Sequence, residues 1–252
     1  MLEAVLWDVD GTLAETERDG HLVAMNAAFD ELGVPWRWSV ERYGELLRVA
    51  GGYERLLFDM DSQPQAPASM EERQALAQCI HALKNRRYAE LVASGALPLR
   101  AGVRELFDDC TGAGVRMAIV TTTSRGNVAA LLGAHLGPRW QERFAAVVCA
   151  EDAPVKKPDP QAYRLVLVRL QLPAAATVAI EDSRMGLQAA SAVGIPVLVT
   201  RSLYFASDAV AEALAVGPGL GTVTGWTPAA DADPAADRVG LAQIRRWHAS
   251  RG

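Results

Sequence analysis

Two carboxylates two residues apart, Asp8 and Asp10, directly follow the short apolar run Ala4-Val5-Leu6-Trp7 and precede Gly11-Thr12-Leu13. The apolar run reads as a buried strand bounded by a glycine. In extended chain, residues i and i+2 lie on one face, so the two charges repel unless a cation or a shared proton separates them. Gly11-Thr12 lets the chain turn back. One acid can then attack an electrophile while the other manages a proton, an arrangement suited to nucleophilic carboxylate chemistry. Turn capping and a plain ion pair are the alternatives for such a strand-end pair.

Three later stretches carry further candidates. Ala118-Ile119-Val120-Thr121 is an apolar run ending in a hydroxyl, with Thr122, Thr123 and Ser124 directly after it. Lys156-Lys157-Pro158-Asp159-Pro160 places a lysine directly before a proline. Val178-Ala179-Ile180-Glu181-Asp182-Ser183-Arg184-Met185-Gly186 is a second apolar run ending in acids. A hard, oxygen-rich pocket of Asp8, Asp10 and Asp182 would suit Mg²⁺.

The elements that must bring these residues together are legible as alternation. Strand-like runs at 115–120, 145–150, 177–180 and 196–199 alternate with helix-like segments at 103–110, 127–136, 161–170 and 187–193. This predicts an α/β fold with a parallel sheet covered on both faces, in which ligands bind beyond the carboxyl ends of the strands. Asp8, Thr121 and Asp182 all fall at such ends. Residues 15–93 break the pattern with helix-like segments at 23–32, 40–49, 52–58 and 71–92. The expected organisation is a core from residues 1–14 and 94–252, and an all-helical insert over 15–93. Hinges are expected near 14–16 and 94–98, with Gly95 and Pro98 in the second. Residues 63–69 read as an exposed loop, and 228–237 as irregular chain. Trp36 and Trp38 are expected to pack the insert, and Arg245-Arg246-Trp247-His248 to lie on a terminal helix docked on the core.

Of the 252 residues, 50% are apolar and 22% charged, with a net charge of −5. That balance makes no electrostatic case for a nucleic-acid or membrane partner. Cys79, Cys110 and Cys149 are odd in number and widely spaced, so three buried free thiols are expected rather than a disulfide framework or a thiolate metal site. No apolar run reaches the roughly 18 residues of a membrane span, and the N-terminus opens on a strand rather than a leader. A cytoplasmic monomer is the expectation.

Asp-x-Asp-Gly-Thr-Leu at Asp8–Leu13, followed in order by the three later stretches, resembles the haloacid-dehalogenase-like phosphohydrolases. The resemblance implies a Rossmann-like core with an inserted helical cap. It implies Asp8 as a nucleophile forming an aspartyl-phosphate, and Asp10 as general acid and base, with its proton affinity raised relative to that of Asp8. Thr121 and Lys157 would hold phosphoryl oxygens, Lys156 being the competing lysine. Mg²⁺ would be held by Asp8, by Asp10 through its backbone carbonyl, by the Asp182 side chain, and by Glu181 directly or through water. Gly11 and Gly186 would allow tight turns beside the phosphate.

Within that superfamily the chain is similar to the CbbY-type group, the xylulose-1,5-bisphosphate phosphatases. Asp8 to Glu17 reads DVDGTLAETE, Thr121-Thr122-Thr123-Ser124 precedes Asn127, and Gly51-Gly52 precedes Glu54-Arg55, with His81 and Lys84 further on. The resemblance implies a small phosphorylated sugar as substrate, xylulose-1,5-bisphosphate being the specific candidate. Its contacts would come from Glu17, Gly52, Arg55, Lys84, Thr122, Thr123, Ser124 and Asn127, with Arg55 and Lys84 supplying a second anion site. Where the group usually has a lysine this chain has Tyr53, and Arg48 or Arg125 are the candidates to replace that charge. A phosphoglucomutase-like isomerase and a catalytically silent binding protein are the alternatives.

Overall fold

Strand β1 (Ala4–Trp7) is fully buried and is hydrogen-bonded on both edges. The computed structural model describes residues 1–229 and 237–250. Around β1 lie β2 (Arg116–Val120), β3 (Ala146–Val148), β4 (Thr177–Glu181), β5 (Val197–Thr200) and β6 (Ala215–Gly217). They form one six-stranded parallel sheet in the order β3-β2-β1-β4-β5-β6. Register places Trp7 beside Ile119 on one side and Ile180 on the other, so the residues after β1, β2 and β4 emerge along one edge.

Both faces are covered, which is why the strands are apolar throughout rather than alternating. Val5, Trp7, Ile119 and Ile180 join one cluster with α5 (Val103–Gly112), α6 (Arg125–Leu136) and α9 (Leu241–Ala249). Ala4, Leu6, Val120 and Ala179 join the other with α7 (Gln161–Leu170) and α8 (Arg184–Ser191). Helices α6 and α8 begin earlier than periodicity alone suggests. Ser124 and Ser183 cap them by accepting the backbone N–H of Asn127 and Gly186, which recruits the polar residues after each serine into the first turn.

Between β1 and α5 the chain is helical. A π-helical turn (Glu17–Leu22) runs into α1 (Val23–Glu31), followed by α2 (Val40–Leu46), α3 (Gly52–Met60) and α4 (Met70–Ala93). These helices have a core of their own, in which Phe29 meets Trp38 edge-on at 5.3 Å. The Trp38 indole donates to Asp59 at 2.6 Å, and Trp36 is buried in the same cluster, as expected. Helix α4 starts at a capping box between Ser69 and Glu72. Cys79, expected to be buried, is exposed. The inward stripe of α4 is Ala77, Ile80, Leu83 and Lys84, and the 3.6-residue period leaves position 79 on the outer face.

Strand β6 was not anticipated. It is three residues long and ends in Gly217, too short for a periodic signal. Helix α9 docks through Leu241, Ile244 and Trp247, with Trp247 lying 4.9 Å from the Trp226 ring. Of the stretch expected to be irregular, 230–236 lies outside the described residues. No described helix is long and apolar enough to cross a membrane. Trp247→Ala should cost about 3 kcal/mol in urea denaturation; a loss under about 1 kcal/mol would mean α9 contributes little to the core.

Candidate active site

Asp8 leaves β1 with its N–H still paired to Ile180 O at 3.1 Å, which seats its side chain between the ends of β2 and β4. Lys157, from the loop before α7, donates to Asp8 Oδ1 at 2.7 Å, Glu181 Oε1 at 2.6 Å and Val120 O at 2.9 Å. Thr12 Oγ1 donates to Asp8 Oδ2 at 3.0 Å, and Tyr163 donates its phenol to Glu181. Lys156 lines the same cavity but pairs with Glu54 of α3 at 2.5 Å rather than with Asp8. The structure thus separates the two lysines and places Lys157 against Asp8.

Asp8, Glu181 and Asp182 are buried, with ligand oxygens within 4.8 Å of one another. Burial pushes the Asp8 carboxyl up against the opposing pull of Lys157. Burial likewise raises Glu181 to about 7. Asp182 is raised well above the usual range by burial and then by Asp8. Burial also works against the Lys157 ammonium, but Asp8 and Glu181 outweigh it and hold it above the ordinary lysine range. Among the described residues Lys157 pairs with two of the three acids and leaves Asp182 without a cation, and the oxygen donors are those a hard divalent cation takes. Asp8, Glu181 and Asp182 therefore fit Mg²⁺.

Two glycines make room for this crowding. A Cβ on Gly11, where φ is +80°, would stand 1.9 Å from Asp182 Oδ2, and one on Gly186 would stand 1.8 Å from Glu181 Oε2. Gly11 does make a tight turn, as expected. Gly186 instead sits in α8 with no left-handed backbone, and its missing side chain is space for Glu181.

The Asp10 side chain stands apart from that cluster. Its Oδ1 accepts from Thr16 Oγ1 at 2.6 Å and meets His21 Nε2 at 2.9 Å, while His21 Nδ1 meets Lys84 Nζ at 2.9 Å. Burial would raise the Asp10 carboxyl, but the charge and hydrogen bond of His21 and the Thr16 hydroxyl outweigh it and hold it at about 2. The expected order of proton affinities, Asp10 above Asp8, is reversed here, because the partners of Asp10 stabilise its ionised form.

The helical insert covers this edge of the sheet, and a cavity of about 140 Å³ lies between them. Glu17, Gly52, Arg55 and Lys84 line it from the insert, and Thr122, Thr123, Ser124 and Asn127 from the core. Thr121 is buried and does not line it; its hydroxyl accepts the N–H of Thr123 at 3.2 Å. Asn127 donates to Thr123 at 3.2 Å and to Asn85 at 3.3 Å. Arg55 and Lys84 are buried rather than solvated. Arg55 donates to Leu46 O at 3.1 Å and to Tyr43 at 3.0 Å, and Tyr43 donates to Glu17 at 2.5 Å. Burial lowers Lys84 to about 8 and His81 to about 4. Tyr53 lines the cavity edge-on to His81, with ring centroids 6.5 Å apart. Arg48 lies over Phe58, and Arg125 pairs with Asp152; neither lines the cavity to replace the missing cation. His21 and Tyr43 were not singled out from sequence: one sits in a π-helical turn and the other in a seven-residue helix, neither with a readable period.

A central parallel strand ending in a lysine-held carboxylate, with acids from its neighbour and a helical cover, defines a capped α/β hydrolase. The chain belongs to the haloacid dehalogenase-like hydrolase family, whose model matches residues 2–194. It is 44% identical to the plasmid protein CbbY of Cupriavidus necator, over 98% of this chain and 97% of that one. A crystal structure of CbbY from Rhodobacter sphaeroides in complex with phosphate is 40% identical with a TM-score of 0.78, covering 84% of this chain and 92% of that one. A mutant of that CbbY in complex with xylulose-(1,5)bisphosphate matches with the same identity, TM-score and coverage.

Glu181 makes stability depend on pH. Its folded value of about 7 lies above the ordinary 4.5. Its contribution is therefore complete below about pH 4.5 and lost as pH rises through about 7. In chelator, thermal melts of wild type and Glu181→Gln should diverge over that window, with wild type losing ground as pH rises. Parallel curves would contradict the assigned environment.

Proposed function

We propose that this chain is a Mg²⁺-dependent phosphatase that hydrolyses a sugar phosphate through an aspartyl-phosphate on Asp8, with xylulose-1,5-bisphosphate as substrate. The observation that carries the reading is the Asp8 carboxylate, held by Lys157 at 2.7 Å and Thr12 at 3.0 Å at the floor of a cavity roofed by cationic side chains. The resemblance to a CbbY solved with xylulose-(1,5)bisphosphate supports the substrate. Asp8, Asp182 and Glu181, with the main-chain carbonyl of Asp10, are the residues that would hold the metal. Bound there, Mg²⁺ supplies charge compensation between an anionic nucleophile and an anionic substrate.

In the first displacement an Asp8 oxygen bonds to phosphorus and the ester P–O bond breaks. Asp10, whose carboxylate His21 and Thr16 favour in the free site, takes up a proton with the substrate and gives it to the leaving sugar oxygen. In the second, water gives its proton to Asp10 as its oxygen bonds to phosphorus. The Asp8–phosphorus bond then breaks, releasing inorganic phosphate and restoring the carboxylate. Lys157 remains against Asp8 as a fixed positive point charge. Asp10 is positioned by Thr16 and His21, and through His21 it is tied to Lys84 on the cavity roof. The second phosphate would lie toward Arg55 and Lys84, and Glu17 would accept from sugar hydroxyls. Thr122, Thr123, Ser124, Asn127 and Gly52 would complete the wall. Release of inorganic phosphate, rather than its return to an isomerised sugar, separates this reading from a mutase.

Asp8→Asn should lower Mg²⁺-dependent phosphate release on the order of 10⁴-fold or more while the protein still folds and melts cooperatively; wild-type turnover in that variant would refute the mechanism. Arg55→Ala and Lys84→Ala should each raise KM for xylulose-1,5-bisphosphate by roughly tenfold and for a sugar monophosphate by much less. Equal effects on the two substrates would remove both residues from the second-phosphate site.

A further inference from the structure

The segment after β5 belongs to the core by chain position and to the insert by packing. Tyr204 and Phe205 lie against the aromatic cluster of the helical insert. The Tyr204 ring meets Tyr43 of α2 at 5.8 Å, edge-on. A Cβ on Gly44 of α2 would stand 3.1 Å from the same ring, so α2 carries a helix-weakening residue where Tyr204 rests against it. Phe205 reaches further and lines the cavity above Asp8. These residues lie beyond the 2–194 span that the family model matches.

The segment is held in shape by its own contacts. Arg201 Nη1 donates to the carbonyls of Phe205, Ala206 and Asp208 at 3.4, 2.6 and 3.2 Å, folding the chain around one guanidinium. Ser202 Oγ donates to Asp182 Oδ2 at 2.7 Å, and Arg100 holds Arg201 O at 2.7 Å. At its far end Asp208 accepts the N–H of Arg184 at 2.8 Å, at the start of α8. Both ends are thus pinned to the core, and the tip is apolar. Among the described residues the Tyr204 hydroxyl is buried with no hydrogen-bond partner, so the ring, not the phenol, makes the contact.

We propose that residues 201–208 are a clasp by which the core holds the insert closed over the cavity, with Tyr204 as its anchor and Phe205 as a specificity-determining wall. The clasp acts on substrates large enough to be enclosed between insert and core. It matters least for an ester such as p-nitrophenyl phosphate, whose leaving group needs neither a proton from Asp10 nor a contact with the roof. Tyr43 joins the anchor to the sugar-binding side of the cavity, because its hydroxyl bridges Arg55 and Glu17. Clasp and roof therefore share one buried ring.

The test has a kinetic arm, which rests on the phosphatase reading, and a distance arm, which does not. Tyr204→Ala and Phe205→Ala should each raise KM for xylulose-1,5-bisphosphate about tenfold, while Tyr204→Ala, whose ring lies outside the cavity lining, changes KM for p-nitrophenyl phosphate by less than about twofold. Tyr204→Phe should behave as wild type, since no partner of the phenol is lost. Equal changes with both esters in Tyr204→Ala would overturn the proposal. In the distance arm, nitroxides on the exposed Cys79 of α4 and on Val168→Cys of α7, itself 73% exposed, report the separation of insert and core by pulsed electron resonance. The closed distance should dominate in the parent and Tyr204→Phe proteins, and give way to longer distances in the two alanine variants. An unchanged distribution in both would overturn the clasp. A parent enzyme that released phosphate from neither ester would refute the phosphatase reading and leave the distances to decide the clasp.

Discussion

Asp8 and Glu181 share one buried ammonium, Lys157, and Asp182 stands beside them in the same buried cluster. In a medium of low effective dielectric such crowding of acids is costly, and much of the surrounding structure answers it. Parallel register brings the ends of β1 and β4 side by side. Gly11 and Gly186 give up their side chains so that two carboxyl groups fit. Tyr163 donates to the same Glu181 oxygen as Lys157, and Ser202 donates to Asp182 Oδ2. In the proposed mechanism a hard cation placed among these oxygens would turn the same crowding from a liability into the means of bringing an anionic substrate to an anionic nucleophile.

Asp10, two residues from Asp8, experiences a different environment. Its partners come from the insert, where Thr16 and His21 favour the carboxylate and Lys84 stands behind His21. One acid is tuned by the core and the other by the roof, so the placement of the insert bears on chemistry as well as on access. The same roof carries Arg55, buried and bonded through Tyr43 to Glu17. Under the proposed function, closure would align proton handling and sugar recognition in one step.

How much of this was legible in the sequence varied with the physics of each element. Asp8 and Asp182 could be read because continuous apolar runs mark strands buried on both faces, and strand ends in such sheets gather function. Lys157, in a loop, could be chosen over Lys156 only through the family resemblance, as the lysine directly before a proline. Helix α7, over Gln161–Leu170, matched at both ends because it is amphipathic and starts after Pro160. Where a serine caps a helix, as at Ser124 and Ser183, hydrophobic periodicity alone placed the start too late. His21 was missed because a π-helical turn has no period to find, and β6 because three residues carry none. Cys79 was misplaced because its burial depends on which side of α4 it falls. The reversed proton affinities of Asp8 and Asp10 arise from contacts between residues up to 149 positions apart, which no local pattern encodes.

The central claim is that phosphorus bonds to Asp8. Rapid-quench mass spectrometry of the enzyme turning over xylulose-1,5-bisphosphate with Mg²⁺ addresses it directly, with the acyl-phosphate trapped by reductive cleavage to mark its position. The account predicts modification at Asp8 alone, rising before the steady state and absent from Asp8→Asn. Modification at another residue, or turnover with no covalent phosphoryl-enzyme at any quench time, would contradict it.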